Sequence, residues 1–285
     1  MTLLEKRMRG LTADLSSAAA QLAEDNAPPK NVHRVRTTIR RIESLVSYAN
    51  PDLDKKLERT LEKMADLRKQ AGKVRDLDVQ IGLLGALGNG STARDRKSLA
   101  ELLGKKRDRQ AQRLVSAVKK IQESKFFARM NRIAEESGAV PEGKNRPLAP
   151  LAEAKSQLAE MAKDFSPHRT VKLSYLHSVR VSLKRIRYLA ELADASAEQK
   201  EFIRELKSVQ DVVGDWHDWQ ELTNTADKRF SDRVNCALLR EVRALLAARH
   251  STATLFLNNL FALVLASDKK PSRSVQSVRA FAQHA

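Results

Sequence analysis

Two short runs of the sequence could do chemistry together. His33 is followed by Arg36, Arg40 and Arg41, and His177 by Arg180, Lys184 and Arg185, so both runs read H-x-x-R-x-x-x-[RK]-R. At about 100° per residue, the His and the cations three and seven places on fall within about 60° of one another on a helix. Successive cations then stand about 4.5 to 6 Å apart along the axis, close enough to repel unless something anionic lies between them. Arginine suits such a ligand because its planar fork bonds two phosphate oxygens. Histidine can gain a proton as a phosphate approaches. Arg41 and Arg185 flank the stripes on one side, and Arg187 flanks the second copy on the other. A row of cations on one helix face predicts a linear polyanion as its ligand.

One basic stripe alone is more often an ordinary solvent face. Recurrence argues otherwise, because residues 32–42 align without a gap onto residues 176–186 at an offset of 144. Apolar residues fall at 32, 35, 39, 42, 45 and 46 in the first copy and at 176, 179, 183, 186, 189 and 190 in the second, one face of a helix in each case. A second echo follows at an offset of 142, Gly72-Lys73-Val74-Arg75-Asp76 against Gly214-Asp215-Trp216-His217-Asp218. The two halves therefore look like a duplicated unit, with Arg75 and His217 at matching places in the second echo. The copies differ at two points: Glu43 stands where the second has Arg187, and His217 where the first has Arg75.

The elements that must position these residues are helices. Ala, Leu, Glu, Lys, Gln and Arg dominate, no stretch sustains a period of two, and the chain has few Gly and Pro. The pattern predicts helices over about 2–24, 28–49 and 51–87, the third with a potential kink at Gly72. Ser91 or Thr92 is placed to cap a long helix to about 122, and a shorter one follows to about 136. Residues 137–150, with two Gly and three Pro, read as a linker between an N-terminal bundle (1–146) and a C-terminal bundle (147–285). Further helices are expected over about 149–163, 167–193, 197–224, 226–250 and 252–266.

Composition narrows the classes. The 285 residues suffice for a real core. A lone cysteine, Cys236, excludes a disulfide framework or a cysteine-based zinc module, fits a reducing compartment, and reads as a buried structural thiol. The longest apolar run, residues 255–266, is too short to span a bilayer and reads as a buried helix. The N-terminus mixes charge with apolar residues, unlike a secretory signal, so a cytoplasmic protein without a membrane partner is expected. With 52 Lys and Arg against 35 acids the formal charge is +17. Residues 1–146 hold 31 cations and 19 acids, a net of +12, and the rest a net of +5. At 5% aromatic residues there is little material for base stacking.

Enzyme readings fare poorly. His217-Asp218 resembles the metal-binding pair of some phosphohydrolases, but its counterpart is Arg75-Asp76, and arginine cannot replace a metal ligand. Asp76 and Asp218 read better as orienting a cation or capping a helix, and Trp216 and Trp219 as packing. The loop at 88–90 lacks the Lys-Ser/Thr ending of a phosphate-binding loop. No metal, cofactor or catalytic residue is expected. The main rival is a helical protein that binds nucleic acid, for which Lys105-Lys106-Arg107, Arg109 and Arg113 could serve. Glu101 and Asp108 among them suggest a solvated face instead.

The doubled H-x-x-R-x-x-x-[RK]-R pattern, the Arg187-Tyr188 continuation of its second copy and the G-x-x-[RH]-D echoes resemble the CHAD domain, the conserved histidine α-helical domain, over nearly the whole chain. That resemblance implies an all-α fold of two bundles of about four long helices each, related by approximate two-fold symmetry around a basic central cavity or channel. It implies binding of inorganic polyphosphate and association with polyphosphate granules, with nucleic acid only a non-specific competitor. The residues implied are His33, Arg36, Arg40, Arg41, His177, Arg180, Lys184, Arg185 and Arg187, with Arg75 and His217 from the second echo. Many relatives carry a triphosphate-processing domain ahead of the helices; here Met1 opens directly onto the helical unit, and that activity is not expected.

Overall fold

The computed structural model describes residues 3–24, 27–49, 55–88, 90–138, 149–165, 171–233 and 235–268. Among these the chain forms nine helices and no strand: α1 (Leu3–Glu24), α2 (Pro29–Ala49), α3 (Lys55–Ala86), α4 (Ala93–Glu123), α5 (Phe126–Gly138), α6 (Pro150–Lys163), α7 (Leu173–Ala190), α8 (Ala197–Arg229) and α9 (Ala237–Asp268). The all-α expectation holds. Its driving pattern holds as well, since Val32, Val35, Ile39, Ile42, Leu45 and Val46 of α2 are all buried. So are Leu176, Val179, Leu183, Ile186, Leu189 and Ala190 of α7. Each large side chain so buried contributes about 1.5–3 kcal/mol relative to exposure.

The differences from expectation have local causes. The break expected near residue 225 is absent, and α8 runs on to Arg229. The Thr225 hydroxyl lies 2.9 Å from the Glu221 carbonyl oxygen one turn back, which lets a poor helix former stay inside the helix. The break expected at residues 250–252 is absent for the same reason: Ser251 and Thr252 hydroxyls donate to the Ala247 and Ala248 carbonyls, and α9 continues through them. Thr92 does stand at the N-cap of α4, but its hydroxyl makes no cap bond and donates to Glu241 at 3.2 Å. The apolar run at 255–266 is not a fully buried helix. Leu257, Leu260 and Phe261 are buried whereas Leu255 is 55% exposed, the one-sided burial of a helix at the edge of a bundle. The expected linker falls mostly on residues 139–148, and the expected start of α7 on residues 166–170, both outside the described residues. No described helix is long and apolar enough to cross a membrane.

The helices form two compact units that are not contiguous in sequence. The first comprises Met1–Leu148 and Asp218–Arg243, the second Ala149–His217 and Ala244–Ala285, so α8 and α9 each contribute to both. In the first unit α3 packs on α2 and α4, and α1 on α2, α4 and α5. Arg107, the one residue of the basic run at 105–107 that turns inward, donates to Asp78 on α3 at 3.0 Å and to the carbonyl of Ala27, a buried residue with φ of 57° at the turn into α2. In the same unit the Cys236 thiol is buried 3.6 Å from Asp95. In the second unit Phe165 packs on Tyr175 and Phe261, with ring centroids 5.7 and 4.7 Å away. Trp216 is fully buried.

Candidate anion-binding faces

In the first unit the basic stripe lies on the side of α2 away from its buried row. His33 is exposed and Arg36, Arg40 and Arg41 are half-buried. α3 runs antiparallel to α2, a register set by Arg68, whose Nε reaches Glu43 at 2.9 Å. One turn further along α3, Gly72 leaves the space through which Arg36 passes. A methyl group at residue 72 would meet the Arg36 Nε at 3.7 Å, an ordinary contact, whereas a longer side chain would displace the guanidinium. A concavity of about 610 Å³ opens here, lined by Arg36, Asp66, Arg68, Lys69, Gln70, Gly72, Lys73 and Asp76. Its four cations outnumber its two acids, and one of those acids, Asp66, is paired with Lys69 at 3.2 Å.

This arrangement brings Arg36 together with the Gly72 and Asp76 positions of the second echo. Lys73 rather than Arg75 lines the concavity with them; Arg75 is half-buried elsewhere on α3. Asp76 is exposed, lines the concavity and stands mid-helix, so it does not cap a helix. Sequence reasoning missed Arg68, Lys69 and Lys73. The signal was their spacing, which sets Lys69 and Lys73 one turn apart beside the Gly72 echo. The Glu43 departure is also explained: in place of a cation on α2 it holds Arg68, a cation from α3, at the rim.

In the second unit α7 and α8 are antiparallel and locked by two buried amides. Gln199 donates to the Ala190 carbonyl at 3.2 Å and Gln210 to the Leu183 carbonyl at 2.6 Å. That register carries His217 to His177, with ring centroids 5.5 Å apart. His217 is braced by its neighbours. Trp216 fills the core beside His250, whose Nε2 lies 2.8 Å from the Val171 carbonyl oxygen, and Asp215 meets Arg249 at 3.3 Å. His177 and Arg185 are exposed and Lys184 is half-buried, but Arg180 is only 9% exposed, so it does not stand out in solvent as a flat helical wheel suggests. Arg187 stacks on Tyr188 at 4.9 Å and lies 3.7 Å from Glu191, a brace for the end of α7. Gly214 has open space where Gly72 has Arg36, so the two units are not equivalent in detail. Among the described residues no three His, Cys, Asp or Glu side chains gather as a metal site.

The chemistry these faces offer is attraction for anions. Protonated rings of His177 and His217 would repel at this distance, and an anion shared between them would relieve that repulsion. Glycine at residue 72 is not forced by its backbone. Substituting Gly72→Ala is therefore expected to raise stability by about 0.5–1 kcal/mol, through helix propensity, and Gly214→Ala by a similar amount. Denaturant melts check this, and a loss of stability at residue 72 alone would mean that Arg36 is packed more tightly than described.

Solved structures that share the fold include the following two. A CHAD domain from the plant Ricinus communis aligns with a TM-score of 0.71, 15% identity and coverage of 93% of this chain and 91% of that one. PptA from Streptomyces chartreusis aligns with a TM-score of 0.61, 15% identity and coverage of 93% and 98%. Among curated proteins none matches. The CHAD domain profile matches residues 6–227, which takes in both basic stripes and both echoes, and the chain belongs to the CHAD domain family.

Proposed function

We propose that this protein binds inorganic polyphosphate through the basic faces of α2 with α3 and of α7 with α8, and that it is a binding module rather than an enzyme. One observation carries the reading: within each unit a residue of the first motif meets the second motif, Arg36 over Gly72 and His177 beside His217. A doubled cationic row, each copy meeting its own second motif, fits a linear polyanion better than it fits an ordinary solvent face. Direct phosphate contacts would come from Arg36, Lys184, Arg185 and the paired histidines, while Arg180 and Arg187 hold the face in shape. Binding of this kind would tether the protein to polyphosphate granules in the cytoplasm.

Competition tests the reading. Long-chain polyphosphate is expected to bind with an affinity that falls about 10³-fold between 50 and 200 mM salt, as for a protein that neutralises six or more phosphates. It should also resist displacement by excess duplex DNA. Equal displacement by DNA at the same phosphate concentration would replace this function with general polyanion binding.

A further inference from the structure

The outward face of α4 takes no part in the sites described above, yet it is strongly and one-sidedly charged. Leu99, Leu103, Ala111, Leu114 and Val118 bury the inner face. On the opposite side Lys105, Lys106, Arg109, Arg113 and Lys120 are all exposed. They share a sector of about 100°, and from Lys105 to Lys120 that sector holds no acid over about 22 Å of axis. None of the five takes part in an ion pair among the described residues, in contrast to Arg107 beside them, which pairs with Asp78. Lys105, Arg109 and Arg113 follow one another at four-residue spacing, where like charges destabilise a helix. The strip continues toward the start of α4, where the exposed Arg229 in the same compact unit donates to Ser98 at 3.1 Å. A row of cations kept against its own repulsion and not used for packing is a surface open to a polyanion.

The strip also restricts that ligand. It holds no aromatic side chain on which a base could stack. It offers no apolar side chain to enter a lipid interface. It is one row wide, whereas a duplex presents two phosphate rows divided by grooves. We propose that the outer face of α4 is a further polyphosphate-binding strip, separate from the motif faces, so that one molecule holds an additional stretch of polymer and cross-links chains. The inference rests on the polyphosphate reading above and extends it from binding to bridging. Joining two sites in one body also raises the effective concentration of polymer at the second once the first is filled.

The test uses the full chain and its K105Q/R109Q/R113Q/K120Q variant. Glutamine keeps helix propensity and removes the repulsion, so the melting temperature should not fall. The wild type is expected to bind short polyphosphate chains at one more site than the variant, the variant's remaining affinity staying within about twofold. With long-chain polyphosphate on beads, the wild type should capture a second, labelled chain, and the variant should capture at least tenfold less. Equal stoichiometry and equal capture by the two proteins would overturn the bridging inference and leave the function intact. No short-chain binding by either protein would overturn both. Loss of duplex DNA binding in the variant with capture unchanged would assign the strip to nucleic acid and overturn the inference.

Discussion

Replacing Arg36, Lys73, Lys184 and Arg185 together by alanine is expected to lower the affinity for long-chain polyphosphate by roughly 10³-fold, while helical content and melting temperature stay close to the wild type. Hydrogen bonds to charged groups are worth about 1.5–3 kcal/mol in protected settings. These four side chains are exposed or half-buried, so screening reduces each to about 1 kcal/mol. Four such losses sum to about 4 kcal/mol, and each 1.4 kcal/mol is a factor of ten. Arg180 is left out because it is only 9% exposed and its removal would confound binding with folding. Titration at fixed salt with circular dichroism in parallel checks the result. A variant that unfolds would show that the stripes are structural, and one that binds as before would show that the polymer lies elsewhere.

The buried row of α2 and its match in α7 were legible because they follow from side-chain period alone. The same period also put His33 and His177 on outer faces. It could not show that His217 would come to His177, since that depends on where Gln199 and Gln210 lock α8 against α7. Nor could it show that Arg68, Lys69 and Lys73 would join Arg36, because a second helix brings them there. Helix limits were misread at Thr225, Ser251 and Thr252 for one reason: composition marks these residues as breakers, while their hydroxyls satisfy carbonyls one turn back. The run at 105–107 was the most deceptive. Its neighbours are free surface, but Arg107 belongs to Asp78, 29 residues away, and nothing local announces the pairing.

That pairing gives the largest expected effect on stability. The side chains of Arg107 and Asp78 are 15% and 8% exposed, and Arg107 also holds the Ala27 carbonyl at the entry to α2. Substituting Arg107→Ala strands a buried carboxylate, and breaking such a pair from one side costs about 3–5 kcal/mol. The melting temperature is expected to fall by roughly 6–12 °C on the scale for a chain of this size. The double variant R107M/D78L should recover most of that loss, since an apolar pair of similar volume tolerates the site. A small effect of the single change, under about 1 kcal/mol in denaturant melts, would mean that water reaches Asp78 and that the α3 to α4 contact is loose. Neither variant should alter polyphosphate affinity more than about twofold below its melting range.

Membership of the CHAD family is recognised over residues 6–227, but folding does not respect that boundary. Residue 227 lies two residues before the end of α8, and all of α9 lies beyond it. α9 supplies Leu238, Leu239 and Val242 to the interior of one unit and Ala253, Leu257, Leu260 and Phe261 to that of the other. A gene fragment trimmed to the recognised span would therefore strip both units of interior side chains at once. The autonomous piece of this protein extends at least to Phe261, and sequence kinship is a poor guide to where it can be cut.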